Sequence, residues 1–152
     1  MQKNYLELLE LELDLLNKAA QALRYSCDRC NQIGVKDVYS QDEQEKFEAL
    51  TGRFARLSDI LIQKTFRLID AIDLDAEGTV RDRINRAEKK NLIQSASEFI
   101  EVRELRNEIA HEYIPDAIVV IFEKALLKAP LLFDSVERVQ RYCERYGQAD
   151  VK

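Results

Sequence analysis

From Tyr5 to about Cys30, apolar residues recur at alternating steps of four and three: Leu9, Leu13, Leu16, Ala20, Leu23 and Cys27. That spacing keeps one face of a helix apolar and predicts a long amphipathic helix. Leu8, Leu11, Leu15 and Ala22 widen the stripe, so the helix is expected to meet neighbours on more than one side. Gly34 stops or bends the chain, and Ser40-Gln41-Asp42 reads as a turn with an N-cap. A second long pattern runs through Phe47, Leu50, Phe54, Leu57, Leu61, Leu68 and Ile72. The short connection between the two patterns makes them antiparallel neighbours.

Asp73 to Gly78 is a polar break, after which Thr79 can cap a short helix over Val80–Lys90 with Ile84 and Ala87 facing inward. Ser95 caps a further helix, and Glu98 three positions on completes a capping-box pattern. Phe99, Val102, Leu105 and Ile109 turn toward the core. Pro115 disfavours helical geometry at Ile114, so this helix is expected to end near Tyr113. Pro115 can itself open the last helical region, through Ile118, Ile121, Phe122, Ala125 and Leu126. Pro130 is expected to kink or interrupt that region; Leu132, Val136, Val139 and Cys143 continue the pattern until Gly147 ends it. The fold class predicted is all-α: an antiparallel bundle of about five helices, one domain over residues 1–152.

Composition agrees. Apolar residues make up 46% and charged residues 34%, with 4 Gly and 2 Pro, too few turn formers for a many-stranded sheet. Glu7, Glu10, Glu12 and Asp14 break the leading Leu-rich stretch and argue against a signal-peptide core or a membrane span, leaving the cytoplasm as the expected location. Three cysteines, an odd number, fit reduced thiols. A zinc site from Cys27, Cys30, Cys143 and His111 would consume every soft ligand in the chain, but such sites normally pair close-spaced ligands twice. Buried thiols are the better reading, and no metal or other cofactor is expected.

The net charge of −5 argues against a protein that coats nucleic acid nonspecifically. It leaves room for a local basic site: Arg81, Arg83, Arg86, Lys89 and Lys90 stand against Asp82 and Glu88, a local excess of +3. The plain reading of that run is a solvated helix face.

The only histidine, His111, lies in Arg106-Asn107-Glu108-Ile109-Ala110-His111-Glu112-Tyr113. Imidazole titrates near neutrality, so proton-transfer chemistry in this chain would run through it. A histidine near a helix C-terminus is more often a cap or a surface group that suits the helix dipole. At 100° per residue, Arg103, Asn107 and His111 form one polar strip, while Arg106 lies about 140° around from His111. Arg106 must therefore reach around, or meet a histidine from another chain. A two-fold dimer with these helices facing would set two Arg106/His111 pairs across a shared cleft. Guanidinium grips phosphate and imidazole moves protons, a pairing suited to RNA cleavage by its own 2′-hydroxyl. A serine hydrolase lacks its glycine elbow here, and no cysteine has a nucleophile's context.

The string resembles the HEPN family, specifically the HepT-like toxins that accompany a minimal nucleotidyltransferase (MNT) antitoxin. That family's motif is Arg, four residues, His, any residue, Tyr, with a polar residue after the Arg; Arg106, Asn107, His111 and Tyr113 match it. The resemblance implies a homodimeric, metal-independent endoribonuclease, the toxin of a type II/VII-like toxin–antitoxin pair. It assigns phosphate binding to Arg106 and proton transfer to His111, with Asn107 in support; Arg103 is a further supporting candidate from its place on the same polar strip. Tyr113 corresponds to the tyrosine that the MNT partner modifies with AMP to silence the toxin. Some family members are instead non-catalytic partners of a nucleotidyltransferase. The implied partners are a second copy, the nucleotidyltransferase and RNA, with no membrane. Beside its plain reading as a solvated face, the run of Arg81, Arg83, Arg86, Lys89 and Lys90 is a candidate to guide RNA toward the cleft.

Overall fold

A computed structural model describes residues 2–111 and 118–150; all of the described secondary structure is helical. The helices are α1 (Gln2–Asn31), α2 (Gln41–Asp59), α3 (Phe66–Ile72), α4 (Val80–Lys89), α5 (Ala96–His111) and α6 (Ile118–Asp150). A π-helical segment, Ile60–Thr65, joins α2 to α3 without a break, so the bundle has five rods. Among the described residues no helix is long and apolar enough to cross a membrane.

Cross-links between side chains give the rod directions. Cys30 Sγ reaches the Lys46 carbonyl, and Arg53 Nη1 donates to Ser26 Oγ at 2.8 Å and to the Ala22 carbonyl at 3.1 Å. Rising numbers on α2 thus meet falling numbers on α1, the antiparallel hairpin that the pattern predicts. Lys124 pairs with Glu108 and Lys128 with Glu101, so α5 and α6 are antiparallel as well. Phe47 stacks on Phe122 with ring centroids 3.8 Å apart, while the far end of the same rod meets α6 where Tyr142 donates to Asp73. The core runs the length of that seam; Phe47, Phe54, Phe66, Phe99, Leu16 and Leu23 are its largest fully buried side chains. Burying each such side chain is worth about 1.5–3 kcal/mol.

The caps form largely as the sequence predicts. Ser40 and Glu43 close a reciprocal capping box on α2, and Thr79 and Asp82 do the same on α4. At α5, Ser95 Oγ accepts from the Glu98 N–H at 3.3 Å, half of the box; the Ala96 N–H goes to Glu88 on α4. Two helices end on left-handed residues that are not glycine. The Asp75 N–H reaches back to the Asp70 carbonyl over Leu74 (φ 64°), and the Leu92 N–H to the Ala87 carbonyl over Asn91 (φ 63°).

Two expectations need correction. Pro130 does not interrupt the last helix, and Gly147 does not end it: α6 runs unbroken from Ile118 to Asp150. Pro130 is exposed, whereas its neighbours Ala129 and Leu132 are buried, so tertiary packing carries the helix across the missing N–H. Pro115 and Tyr113 lie outside the described residues.

Candidate functional site: the Arg106 cleft

The site begins with the π-helical segment. One extra residue per turn rotates the side chains that come after it, and such segments often stand at functional positions. Here it turns Gln63 and Lys64 outward and leaves Thr65 buried, its hydroxyl without a hydrogen-bond partner. Asp59, the last residue before it, faces α5 and holds Arg106. Arg106 Nε donates to Asp59 Oδ1 at 2.7 Å and Nη2 to Oδ2 at 3.0 Å, a two-pronged pair. Nη1 has no partner among the described residues. The Asp59 carboxylate holds the Arg106 guanidinium above its ordinary value, so its charge is secure at any working pH.

Arg106 and Asp59 open onto a cleft of about 440 Å³ that Arg103, Asn107, Gln63 and Lys64 also line. Arg103, Arg106 and Asn107 share that wall because positions three and four apart are neighbours on a helix. Arg106 therefore joins the polar strip of Arg103 and Asn107, where helical angles alone had set it apart. His111 is exposed at the end of α5 and does not line the cleft. Within one chain, then, the cleft gathers Arg103, Arg106 and Asn107 but not the imidazole. Sequence reasoning missed Asp59, which lies 47 positions from its partner with no local pattern to mark it. The one available signal was an acidic residue on the polar edge of an otherwise core-facing helix.

The basic run of α4 divides. Arg86 donates to Asp70 Oδ2 through Nε at 3.2 Å and Nη2 at 3.1 Å, and Lys90 Nζ lies 2.8 Å from Asp70 Oδ1 and 2.9 Å from Asp73 Oδ2. Arg83 gives Nη1 to the Ile62 carbonyl at 3.2 Å and to Gln63. Arg81 and Lys89 stand exposed. Burial lowers Arg83 below the ordinary guanidinium range, and the nearby charges of Arg67, Arg86 and Arg103 push the same way against Asp70.

The three thiols are buried, as expected from the sequence. Burial pushes Cys27 up to about 11, with help from Cys30 and Asp28, and Cys143 up to about 12. Cys30 is raised by the same cause, so none of the three is a thiolate near neutrality.

No family model matches this chain, and neither does any characterised protein sequence.

Proposed function

We propose that the chain is a metal-independent endoribonuclease of the HEPN type that acts as a homodimer. The observation that carries this reading is the Arg106 cleft: two guanidiniums and an amide on one wall, with Arg106 clamped edge-on by Asp59. An arginine held by Nε and Nη2 keeps the Nη1 donors for a phosphate oxygen, and the pair with Asp59 preorganises them. Arg103 adds a second positive charge, and Asn107 adds amide donors.

His111 supplies proton transfer, reaching the cleft from the partner copy. In the reaction, the RNA 2′-oxygen attacks the adjacent phosphorus while an imidazole accepts the 2′-hydroxyl proton. The bond from phosphorus to the 5′-oxygen breaks, and a protonated imidazole returns a proton to that oxygen. The products are a 2′,3′-cyclic phosphate and a 5′-hydroxyl. Arg106 and Arg103 stabilise the charge that gathers on the phosphoryl oxygens.

Tyr113, two residues beyond His111, is the proposed site of modification by a nucleotidyltransferase antitoxin. An AMP on Tyr113 adds bulk and about one negative charge to a protein that must take up an anionic strand, opposing RNA.

The test is cleavage of total RNA by purified protein in EDTA, with Tyr113 verified free of AMP by mass. Cleavage leaving cyclic phosphate, lost in both Arg106→Ala and His111→Ala, is the expected result. A second reading, a non-catalytic partner of a nucleotidyltransferase, draws on the absence of His111 from the Arg106 cleft of its own chain. Intact RNA after that incubation, with co-purification of a small nucleotidyltransferase, selects it.

A further inference from the structure

The Arg106 cleft does not stand alone. It shares Gln63 and Lys64 with a second depression of about 460 Å³, where α1 passes the end of the π-helical segment. That second depression shares Arg67 and Ala76 with a third, of about 190 Å³, walled by Arg83 and Arg86. Through these shared residues the three depressions adjoin in series along the π-helical segment and α3, a groove in three parts. Six cations line it, Lys64, Arg67, Arg83, Arg86, Arg103 and Arg106, against the carboxylates of Asp59, Asp70, Glu12 and Glu77. Asp59 and Asp70 are already engaged by Arg106 and Arg86, and one Glu12 oxygen is buried. Lys64, Arg67 and Arg103 have no ion-pair partner among the described residues. A concentration of cations in a chain of net charge −5 calls for an anionic occupant.

The middle depression differs in character. Leu8, Leu68 and Ala71 give its lining an apolar part, and Tyr5, 37% exposed, lines it beside them. Cations at both ends with an aromatic face between them match the two needs of a single strand: charge for the backbone and a ring for an unpaired base. A duplex hides its base faces and has no use for the second.

We propose that this groove is a binding track for single-stranded RNA, with the backbone running over Arg83, Arg67 and Lys64 toward Arg103 and Arg106, and one base stacked on Tyr5. The identity of the strand as RNA rests on the nuclease reading above. The track extends the candidate site well beyond the Arg106 cleft and uses residues of α1, α3 and the π-helical segment.

The test is anisotropy of a labelled 2′-O-methyl RNA of about 15 nucleotides, near the upper site size of single-strand grooves. Blocking the 2′-hydroxyl removes cleavage from the measurement. Lys64→Gln/Arg67→Gln/Arg103→Gln is expected to weaken binding tenfold or more at low salt. It should also flatten the slope of log K against log salt by about 2, since each lost phosphate contact removes roughly 0.7. Tyr5→Ala should weaken binding about tenfold and leave that slope unchanged. Arg81→Gln/Lys89→Gln, on the outward side of α4, should bind as the parent does. Thermal midpoints equal to the parent's establish that the variants are folded.

Three results overturn the track: no binding by the parent at low salt, an unchanged slope in the triple variant, or an equal loss in the Arg81/Lys89 pair. Preferential capture of polyglutamate over the RNA also overturns it and assigns the groove to an acidic protein. The nuclease reading fails separately. A parent that binds the blocked RNA through these residues but leaves ordinary RNA intact keeps the track and loses the nuclease. A parent that cleaves, with KM unchanged in the triple variant, does the reverse.

Discussion

Two arginine–aspartate pairs hold this bundle's outer rods to its central one, and they differ in what surrounds them. Asp70 is buried, with a side chain only 3% exposed, and is saturated by Arg86 and Lys90. Lys90 also reaches Asp73, which accepts from Tyr142 and Tyr146 on α6. Asp59 is 41% exposed and holds Arg106 alone, with cleft on the open side. The first pair is a closed network with no donor left to give. The second commits Nε and Nη2 of its arginine to Asp59, and that arginine lines a cleft in which Nη1 has no partner among the described residues. The same residue types thus make a structural joint in one place and a candidate site in the other, and burial and saturation tell them apart.

The largest effect expected separates the two by activity. Arg106→Ala and His111→Ala should each lower RNA cleavage by about 10²–10⁴-fold, the usual contribution of a proton-transfer group or a transition-state anion clamp. Neither should move the thermal midpoint much, because His111 is exposed and the Arg106 pair with Asp59 is only half-buried.

At the closed network the prediction inverts. Asp70→Ala leaves Arg86 and Lys90 without their buried counter-ion and should cost roughly 3–5 kcal/mol of stability in denaturant titration. Asp59→Asn, at the half-open pair, should cost under about 1 kcal/mol. If Asp59 positions Arg106, cleavage by that variant should fall mainly in kcat. A loss of stability at Asp59 equal to that at Asp70 would erase the contrast between the two pairs.

Acid sharpens it further. Burial opposes the charge of Asp73, but the hydrogen bonds from Tyr142, Tyr146 and Lys90 outweigh it, and its carboxyl lies below the ordinary range. A lowered carboxyl stabilises the fold above its unfolded value, about 3.9, and loses that contribution as pH falls through the folded value. Lys90 has the opposite sign. Burial works against its charge, yet Asp70 and Asp73 raise it, so its contribution is present below about 10.4 and lost as pH rises through the folded value. Stability from this network should therefore plateau across neutrality, and Asp73→Asn should flatten the acid limb of a pH–stability curve.

Leu74 offers the smallest effect. It follows α3 at φ 64° and is 84% exposed, a conformation that costs a residue with a Cβ about 1–2 kcal/mol. Leu74→Gly should stabilise by about 0.5–1 kcal/mol after the entropy cost of glycine, read from the same denaturant midpoints.

Much of the fold could be read in the chain because its signals are local. The stripe from Leu9 to Cys27, the Ser40 and Thr79 caps and the polar break at Asp73–Gly78 all depend on neighbours within a few residues. Pro130 and Gly147 misled because helix breakers act locally, whereas α6 packs against α1, α2 and α5. The π-helical segment carries no glycine or proline to announce it. Its only trace is a polar residue, Thr65, at a buried position where the regular apolar spacing from Leu61 to Leu68 expects a hydrophobic one. Arg103 and Asn107 were legible as one strip because one helix carries them, whereas Arg106 was legible as a candidate but not as their neighbour in one cleft. Asp59, and the meeting of Lys64 and Arg67 with them, depends on tertiary contact and left no pattern to find.

The contrast ends on where the proton-transfer group comes from, since His111 stands off the Arg106 cleft of its own chain. Arg106→Ala and His111→Ala chains should be assayed for RNA cleavage in EDTA, singly and after mixing under conditions that exchange subunits. A cleft completed by the partner predicts two inactive variants whose mixture recovers roughly a quarter of parental activity, because half the dimers then hold one intact site of two. Activity in either variant alone, or none in the exchanged mixture, would contradict the shared site.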